Sequence, residues 1–530
     1  MEFIESILDN VEWLGHTPSK VTYSSDYFQD LYELALNLIH LGGAYVCHQT
    51  ADEIKASREM LKLYQKQRKE ATSASSMPPL PAGAASPYRE RTVAQNLMHF
   101  ERMRQGRYDE GEAFLRMKTD LTSENTALWD PAAYRIMFHA HPRTGDKWCI
   151  YPTYDYTHCI VDSLEHITHS LCTLEFEVRQ AVDGPYYWLL NALRLYKPVT
   201  WEYSRLNLTH SLMSKRKLKF LVNGGYVSGW DDPRLVTLDG LRRRGFSATT
   251  VNRFCEAIGV TRNRMTAAWQ RLEQIARQEL DASAPRRFAV LRPLKVTLTD
   301  WPEMSKTFTM LNHPKDEALG SRTLTITSPI FIEQEDFREV DDKSFFGLAP
   351  GKEVGLLGAG INIKCTSVQK DARGQITGLT ASVDMSATRI KPKGHLHWLS
   401  AATAQPAEVR VYDVLFSDEF PEEKATELAG AHPADEEEDD DDDEEAAAGT
   451  NEPEWLKLLN EQSCIVCHAL VEPALRDSAA TPAKHKRPTF QFQRLGYYCV
   501  DSDSTIESPV FNRVVALKED KERKSTIETK

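Results

Sequence analysis

After Ala284-Pro285-Arg286 the hydrophobic rhythm of this 530-residue chain changes, and no other feature limits the fold as much. Up to that point apolar residues recur at helical spacing between short apolar runs. Beyond it, "RRFAVLRPLKVTLT", "RTLTITSPIFIE", "GINIKCTSVQK", "ITGLTASVDMSA", "AEVRVYDVLF" and "PVFNRVVALK" alternate apolar and polar residues between turns. A period of two marks half-buried strands, and roughly 240 residues of it predict antiparallel β-structure closed into barrels or sandwiches. One core does not grow through a chain this long, so about three to five domains are expected.

Ahead of the boundary, "VTYSSDYFQDLYELALNLIHLGGAYVC" predicts a strand, a long amphipathic helix, a Gly-Gly stop and a second strand. That order belongs to an α/β unit with a parallel sheet. "TADEIKASREMLKLYQKQRKE" is a charged helix, and "ATSASSMPPLPAGAAS" after it has the composition of a flexible loop. "AFLRMKTDL" and "AAYRIMF" read as a strand pair. "KWCIYPTYDYTHCIVDSLEHITHSL" with "YYWLLNAL" returns to α/β character, and 201–285 is mainly helical, with "GWDDPR" as a capped turn. No internal repeat of fixed period is present.

The formal charge of −13 is concentrated: the acidic run "DEEEDDDDDEE" at 435–445 accounts for −11 and leaves a nearly balanced remainder. A block of like charge is normally a solvated, disordered insert, and the net value does not argue against a polyanionic partner. No apolar stretch approaches the ~20 residues needed to span a bilayer, and "MEFIESILDNVEWLG" lacks the pattern of a secretory signal. The nine cysteines are scattered and odd in number, which fits reduced thiols in a cytoplasmic protein. Cys464-Ile-Val-Cys467-His468 matches the haem-attachment pattern only formally, and a lone CxxC lacks the second pair of a zinc site, so no structural metal is expected.

One basic cluster stands out, "SLMSKRKLKF". A lysine between small residues before a helix can neutralise a triphosphate, assisted by backbone N–H groups. Taken alone, it is more readily an exposed helix start. Its surroundings decide the matter. The segment resembles the Met-Ser-Lys signature loop of class I aminoacyl-tRNA synthetases, and "WEYSRLNL", "GWDDPRL" and "LRRRGF" extend the resemblance to the glutaminyl/glutamyl subgroup. "YPTYDYTHCIVDSLEHITHSLCTLEF", "NVEWLG", "YSSDYFQDLYELA", "SPYRERT", "APRRFAVL" and "FQFQRLGYYCVDSDS" are similar, in collinear order, to the glutaminyl members.

That resemblance implies a fold that is α/β plus all-β: a partial Rossmann-like class I catalytic fold in 1–50 and 138–200, and an acceptor-end-binding insert in 51–137. The lysine loop with a helical subdomain follows in 201–285. Two antiparallel anticodon-binding β-barrels in 286–530 carry a disordered acidic insert near 421–452. It implies ATP-dependent ligation of L-glutamine to tRNA(Gln) through glutaminyl adenylate, with Mg2+ accompanying the ATP, by a cytoplasmic monomer that could join a multi-synthetase complex. By the same carry-over Tyr154, Asp155, His158, Cys172 and Phe176 line the glutamine pocket. Thr173, Arg205 and Leu206 contact ATP, and Met213, Ser214 and Lys215 close over its phosphates and supply the catalytic charge. Arg286, Gln491 and Arg494 reach anticodon bases, and Lys391 and Lys393 lie in the same groove. A glutamate-specific relative is expected to carry arginine where Cys172 stands, because a carboxylate takes a bidentate cation. A neutral thiol favours a neutral amide. Thr200 departs from the family pattern, standing where a glutamine usually supports substrate recognition.

The family's first signature, His-Ile-Gly-His, is not in these 530 residues. "HITH" at 166–169 has Thr168 in place of the glycine and belongs to another matched segment. The expectation is a synthetase chain lacking the N-terminal part of its nucleotide-binding fold, by itself unable to support amino-acid-dependent pyrophosphate exchange. The alternatives are an inactive tRNA-binding paralogue and a glutamate-specific enzyme.

Overall fold

The computed structural model describes residues 2–70, 78–302, 305–386, 391–429, 453–480 and 487–518. The acidic run 435–445 lies outside these residues, as does part of the loop expected after residue 70. The chain divides into two units, Thr17–Arg205 with Val260–Met265, and Glu2–His16 with Leu206–Gly259 and Thr266–Lys530.

Helix α1 (Glu2–Trp13) belongs to the second unit. In the first, residues 21–23 are irregular rather than the expected strand. Asp26 Oδ2 accepts the Tyr23 N–H at 3.0 Å and starts a 3-10 turn over Ser24–Tyr27. Helix α2 (Phe28–His40) buries Phe28, Leu31, Tyr32, Ala35, Leu38 and Ile39 along one face, as its spacing predicts. Gly42 then takes φ +71, ending the helix as a left-handed glycine does. Strand β1 (Ala44–Cys47), α3 (Ala51–Glu70), α4 (Val93–Arg104), β2 (Phe114–Met117), β3 (Ala132–Ile136) and β4 (Ile150–Pro152) follow. The sheet runs β1-β2-β3-β4 with every neighbour antiparallel, which overturns the parallel sheet expected from this region. All four residues of β1 are buried, and a continuous apolar run of that kind serves either pairing.

Parallel pairing appears one step later. Helix α5 (Tyr154–Leu164) leads to β5 (His169–Thr173), then α6 (Glu177–Gln180), α7 (Pro185–Leu193) and β6 (Val199–Tyr203). β5 and β6 pair in parallel over their full length, and the helices between them make the crossover that parallel strands require. Leu31, Phe100, Leu115, Tyr134, Ile160 and Leu189 share one core, so α5 and α7 are fixed against the antiparallel sheet.

The second unit begins with β7 (Asn207–Leu208), α8 (Lys215–Asn223), α9 (Leu238–Arg244), α10 (Ala248–Ile258), β8 (Thr266–Ala267) and α11 (Trp269–Ser283). "GWDDPR" is the turn between α8 and α9: the buried Asp232 accepts the Ser228 N–H at 2.8 Å and pairs with Arg234 at 2.8 Å. The β half contains β9 (Arg286–Arg287), β10 (Ala289–Val290), β11 (Pro293–Leu298), β12 (Lys306–Leu311), β13 (Ser321–Ile326), β14 (Ile330–Glu333), β15 (Glu353–Leu356), β16 (Ile361–Lys370) and β17 (Ile376–Asp384). It continues with β18 (His395–Leu396), β19 (Leu399–Ser400), β20 (Gln405–Tyr412), α12 (Pro421–Leu428), β21 (Cys464–Val471), α13 (Pro473–Asp477), β22 (Thr489–Phe492), β23 (Gly496–Val500) and β24 (Val510–Ala516).

Two seven-stranded sheets result, ordered β10-β21-β20-β24-β23-β22-β9 and β18-β15-β16-β17-β11-β14-β19. In each, the two edge strands are nearly consecutive in sequence, β9 with β10 and β18 with β19. The two parts of one interrupted stretch therefore lie at opposite edges of each sheet, a half-barrel-like arrangement. The pairing is not purely antiparallel as expected: β22 with β9, β20 with β24, β11 with β17 and β15 with β18 are parallel. Within the stretch 421–452 expected as a disordered acidic insert, Pro421–Leu428 is instead helical (α12), with Ala425 in one apolar cluster with Phe416, Trp455 and Leu456; residues 430–452 lie outside the described residues.

Candidate functional site

Within the first unit, the start of α5 and the turn after β5 build one cleft. Tyr154, Asp155, His158, Phe176, Arg179, Gln180, Pro185 and Tyr186 line a space of ≈ 250 Å³, counting its open mouth. Tyr154 and His158 stand one helical turn apart on α5, with ring centroids 5.0 Å apart, and Phe176 lies 4.9 Å from Tyr154 on the other side. Tyr154 is 49 % exposed, so its ring serves the cleft and not the core. Its hydroxyl meets the Cys172 thiol at 3.5 Å. Burial, and then that contact, push the phenol well above the ordinary tyrosine range, so it stays protonated and able to donate.

Beneath these rings is a group that sequence reasoning missed. Asp162 accepts from Ser170 Oγ at 2.7 Å and Tyr186 Oη at 2.9 Å, and lies 3.2 Å from His158 Nε2. Burial alone would raise its pKa; the hydrogen bonds from His158 and Ser170 outweigh burial and hold the carboxyl below its usual range. The spacing 154, 158, 162 puts all three residues on one face of α5, a signal present in the sequence. Asp155 is paired as well, with Arg179 Nε at 2.7 Å.

At the carboxyl ends of β5 and β6, Thr173 Oγ1 donates to Glu175 at 3.1 Å, and Glu175 in turn binds Arg205. The ends of parallel strands are where open α/β sheets bind ligands. Thr200, on β6, has its hydroxyl 3.1 Å from Tyr187 Oη and 3.3 Å from the Gln180 carbonyl oxygen.

In the second unit Ser214 is the N-cap of α8 and Lys215 its first residue, exposed, with its ammonium 4.9 Å from the Phe3 ring centroid. No acid lies in the first turn of α8, and Lys217 is paired with Glu422 at 3.0 Å. Leu206 and Met213 belong to this unit, whereas Thr173 and Arg205 belong to the first.

Arg286 and Gln491 are register partners on β9 and β22, and both are buried. Arg286 Nη2 donates to Asp281 Oδ1 at 2.8 Å, Gln491 Nε2 donates to Tyr497 Oη at 2.9 Å, and Tyr497 Oη donates to the same Asp281 oxygen at 3.2 Å. Arg494 takes φ +71 in the turn between β22 and β23, where both its Nη atoms donate to Asp336 at 2.6 Å. Lys391 and Lys393 are exposed between β17 and β18. Neither Asp281 nor Asp336 was foreseen. Cys464 and Cys467 both lie on β21, and among the described residues no three His, Cys, Asp or Glu side chains group as a metal site.

Comparison with known proteins gives three family matches. The catalytic domain of "tRNA synthetases class I (E and Q)" matches residues 1–282, and two anti-codon binding domains of the same description match 284–384 and 395–501. The chain is 44% identical over 528 residues to "Probable glutamine--tRNA ligase" of Dictyostelium discoideum, covering 98% of this chain and 60% of that one. It is 42% identical over 534 residues to "Glutamine--tRNA ligase, cytoplasmic" of Arabidopsis thaliana, covering 98% and 59%. With "Glutamine--tRNA ligase" of Shigella boydii serotype 4 the identity is 42% over 528 residues, covering 98% and 85%. The chain thus spans 60% of the length of the first of these relatives and 59% of the second.

Proposed function

The chain belongs to the class I tRNA synthetases for glutamate and glutamine (E and Q), and from that premise we propose that it serves in the ligation of L-glutamine to tRNA(Gln) in cytoplasmic translation. In the first step the glutamine carboxylate attacks the α-phosphorus of ATP and pyrophosphate leaves. In the second, the terminal ribose hydroxyl of the tRNA takes the glutaminyl group and AMP leaves. Side chains form no covalent bond with the substrate in either step, so positioning and charge carry the rate. Lys215 at the start of α8 supplies a cation and free backbone N–H groups for phosphates. Mg2+ would accompany the nucleotide.

The observation that carries the choice of glutamine is the cleft at Tyr154. Its polar groups face partners, Asp155 with Arg179 and His158 with Asp162, and the position next to the phenol is a thiol. A substrate carboxylate would enter without a free cation to meet it, whereas a carboxamide needs only hydrogen bonds. On the tRNA side, Arg286, Gln491 and Arg494 supply planar edges suited to splayed anticodon bases, with Lys391 and Lys393 as phosphate contacts. The test is charging of tRNA(Gln) with labelled glutamine and glutamate in parallel, by the protein as its own cells make it. Glutamine alone should be attached; preferential attachment of glutamate would overturn the reading.

A further inference from the structure

Gln180 is the last residue of α6, on the wall of the Tyr154 cleft, and the residue is 2 % exposed. Among the described residues neither its Oε1 nor its Nε2 meets a hydrogen-bond partner. A buried amide left that way is destabilising, so its place in the wall needs a reason. The backbone around it is closely determined. The Gln180 carbonyl oxygen accepts from Thr200, and Gly184 N–H closes the turn on Ala181 O at 2.7 Å. A Cβ at Gly184 would stand 2.6 Å from Arg179 O, so only glycine lets the chain turn here. Asn125 Nδ2 holds the Val178 carbonyl at 2.6 Å, and Glu177 pairs with Arg262.

We propose that the Gln180 carboxamide is a specificity-determining group that binds the side-chain amide of the glutamine substrate. This rests on the reading that the Tyr154 cleft takes glutamine. One primary amide is the complement of another: Gln180 Nε2–H donates to the substrate carbonyl, and Gln180 Oε1 accepts from the substrate –NH2. Tyr154 Oη, in the same cleft, supplies a further donor or acceptor. The same wall disfavours glutamate. A carboxylate has no N–H for Gln180 Oε1, and the nearest guanidinium, Arg179, is engaged by Asp155. The pairing also accounts for the unsatisfied state of Gln180, since its two polar atoms find partners when the substrate enters.

The test is a ligand-observed NMR titration of the chain with L-glutamine and L-glutamate, comparing the unmutated protein with Gln180→Leu and Gln180→Glu. Melting temperatures are recorded in parallel. The unmutated protein should bind glutamine and discriminate against glutamate. Gln180→Leu should weaken glutamine binding at least about tenfold while leaving the melting temperature equal or higher, because it deletes a buried donor and acceptor. Gln180→Glu should also weaken glutamine and exclude glutamate further. Undiminished glutamine binding by Gln180→Leu would overturn this assignment alone, with the amide then meeting only water. Failure of the unmutated protein to bind glutamine would overturn the reading of the cleft and the assignment together.

Discussion

The cleft at Tyr154 and the face carrying Arg286, Gln491 and Arg494 both gather polar side chains, yet they satisfy them in opposite ways. In the cleft the charged groups are tied down, and one neutral amide, that of Gln180, has no partner among the described residues. On the β half every expected base-reading residue already has a protein partner: Asp281 for Arg286, Tyr497 for Gln491 and Asp336 for Arg494. A small substrate therefore meets a wall whose hydrogen bonds are waiting. Under the proposed function, an RNA reading these edges would have to exchange internal partners for its own, which would sharpen selection, because a wrong base could not repay the pairs that it breaks.

The largest effect that separates the two is expected at Asp162. Asp162→Leu strands the Ser170, Tyr186 and His158 donors in a part-buried site and should lower stability in urea denaturation by about 2–4 kcal/mol. Asp336→Ala should cost about 1–2 kcal/mol in the same measurement, because the exposed Arg494 can turn to water. Equal losses would break the comparison. A pH series gives a smaller effect with a definite sign. The folded carboxyl of Asp162 is held below its ordinary value, so its contribution is present above the unfolded pKa and is lost as pH falls through about 4 toward the folded value. Asp162→Asn should flatten that part of the stability–pH curve, and an unchanged slope would contradict the network. The smallest effect is at the exposed lysines. Lys391→Ala and Lys393→Ala should each weaken tRNA binding severalfold for every sequence and reduce the salt slope by about 1, as phosphate contacts do. Loss confined to one anticodon sequence would make them base readers instead.

Much of the fold was legible from period alone. Helices α2 and α3 and strands β16, β20 and β24 lie where the sequence pattern puts them. Strand direction was not legible, because β1 is buried on both faces and its "AYVC" carries no alternation to read. The false strand at 21–23 gave way to an aspartate turn, where a side-chain acceptor outcompeted sheet pairing. In the site, Tyr154, Asp155, His158 and Phe176 do share one cleft, and Arg286 does stand beside Gln491. Asp162 could have been found from helical spacing. Gln180 could not: it acts from a turn of 177–184 whose shape depends on Gly184 and Thr200. The sequence drew attention to Thr200 for lacking a glutamine. The structure shows the Thr200 hydroxyl holding the backbone of a glutamine at 180.

The claim that the first unit presents a wall built for a neutral amide is tested most directly by a crystal structure of the chain with L-glutamine bound. The account predicts the substrate side-chain amide within hydrogen-bond distance of both the Gln180 carboxamide and the Tyr154 hydroxyl, with the Asp155–Arg179 pair intact. A glutamine bound with its side chain directed away from Gln180, or an Arg179 released from Asp155 to meet the substrate, would contradict it.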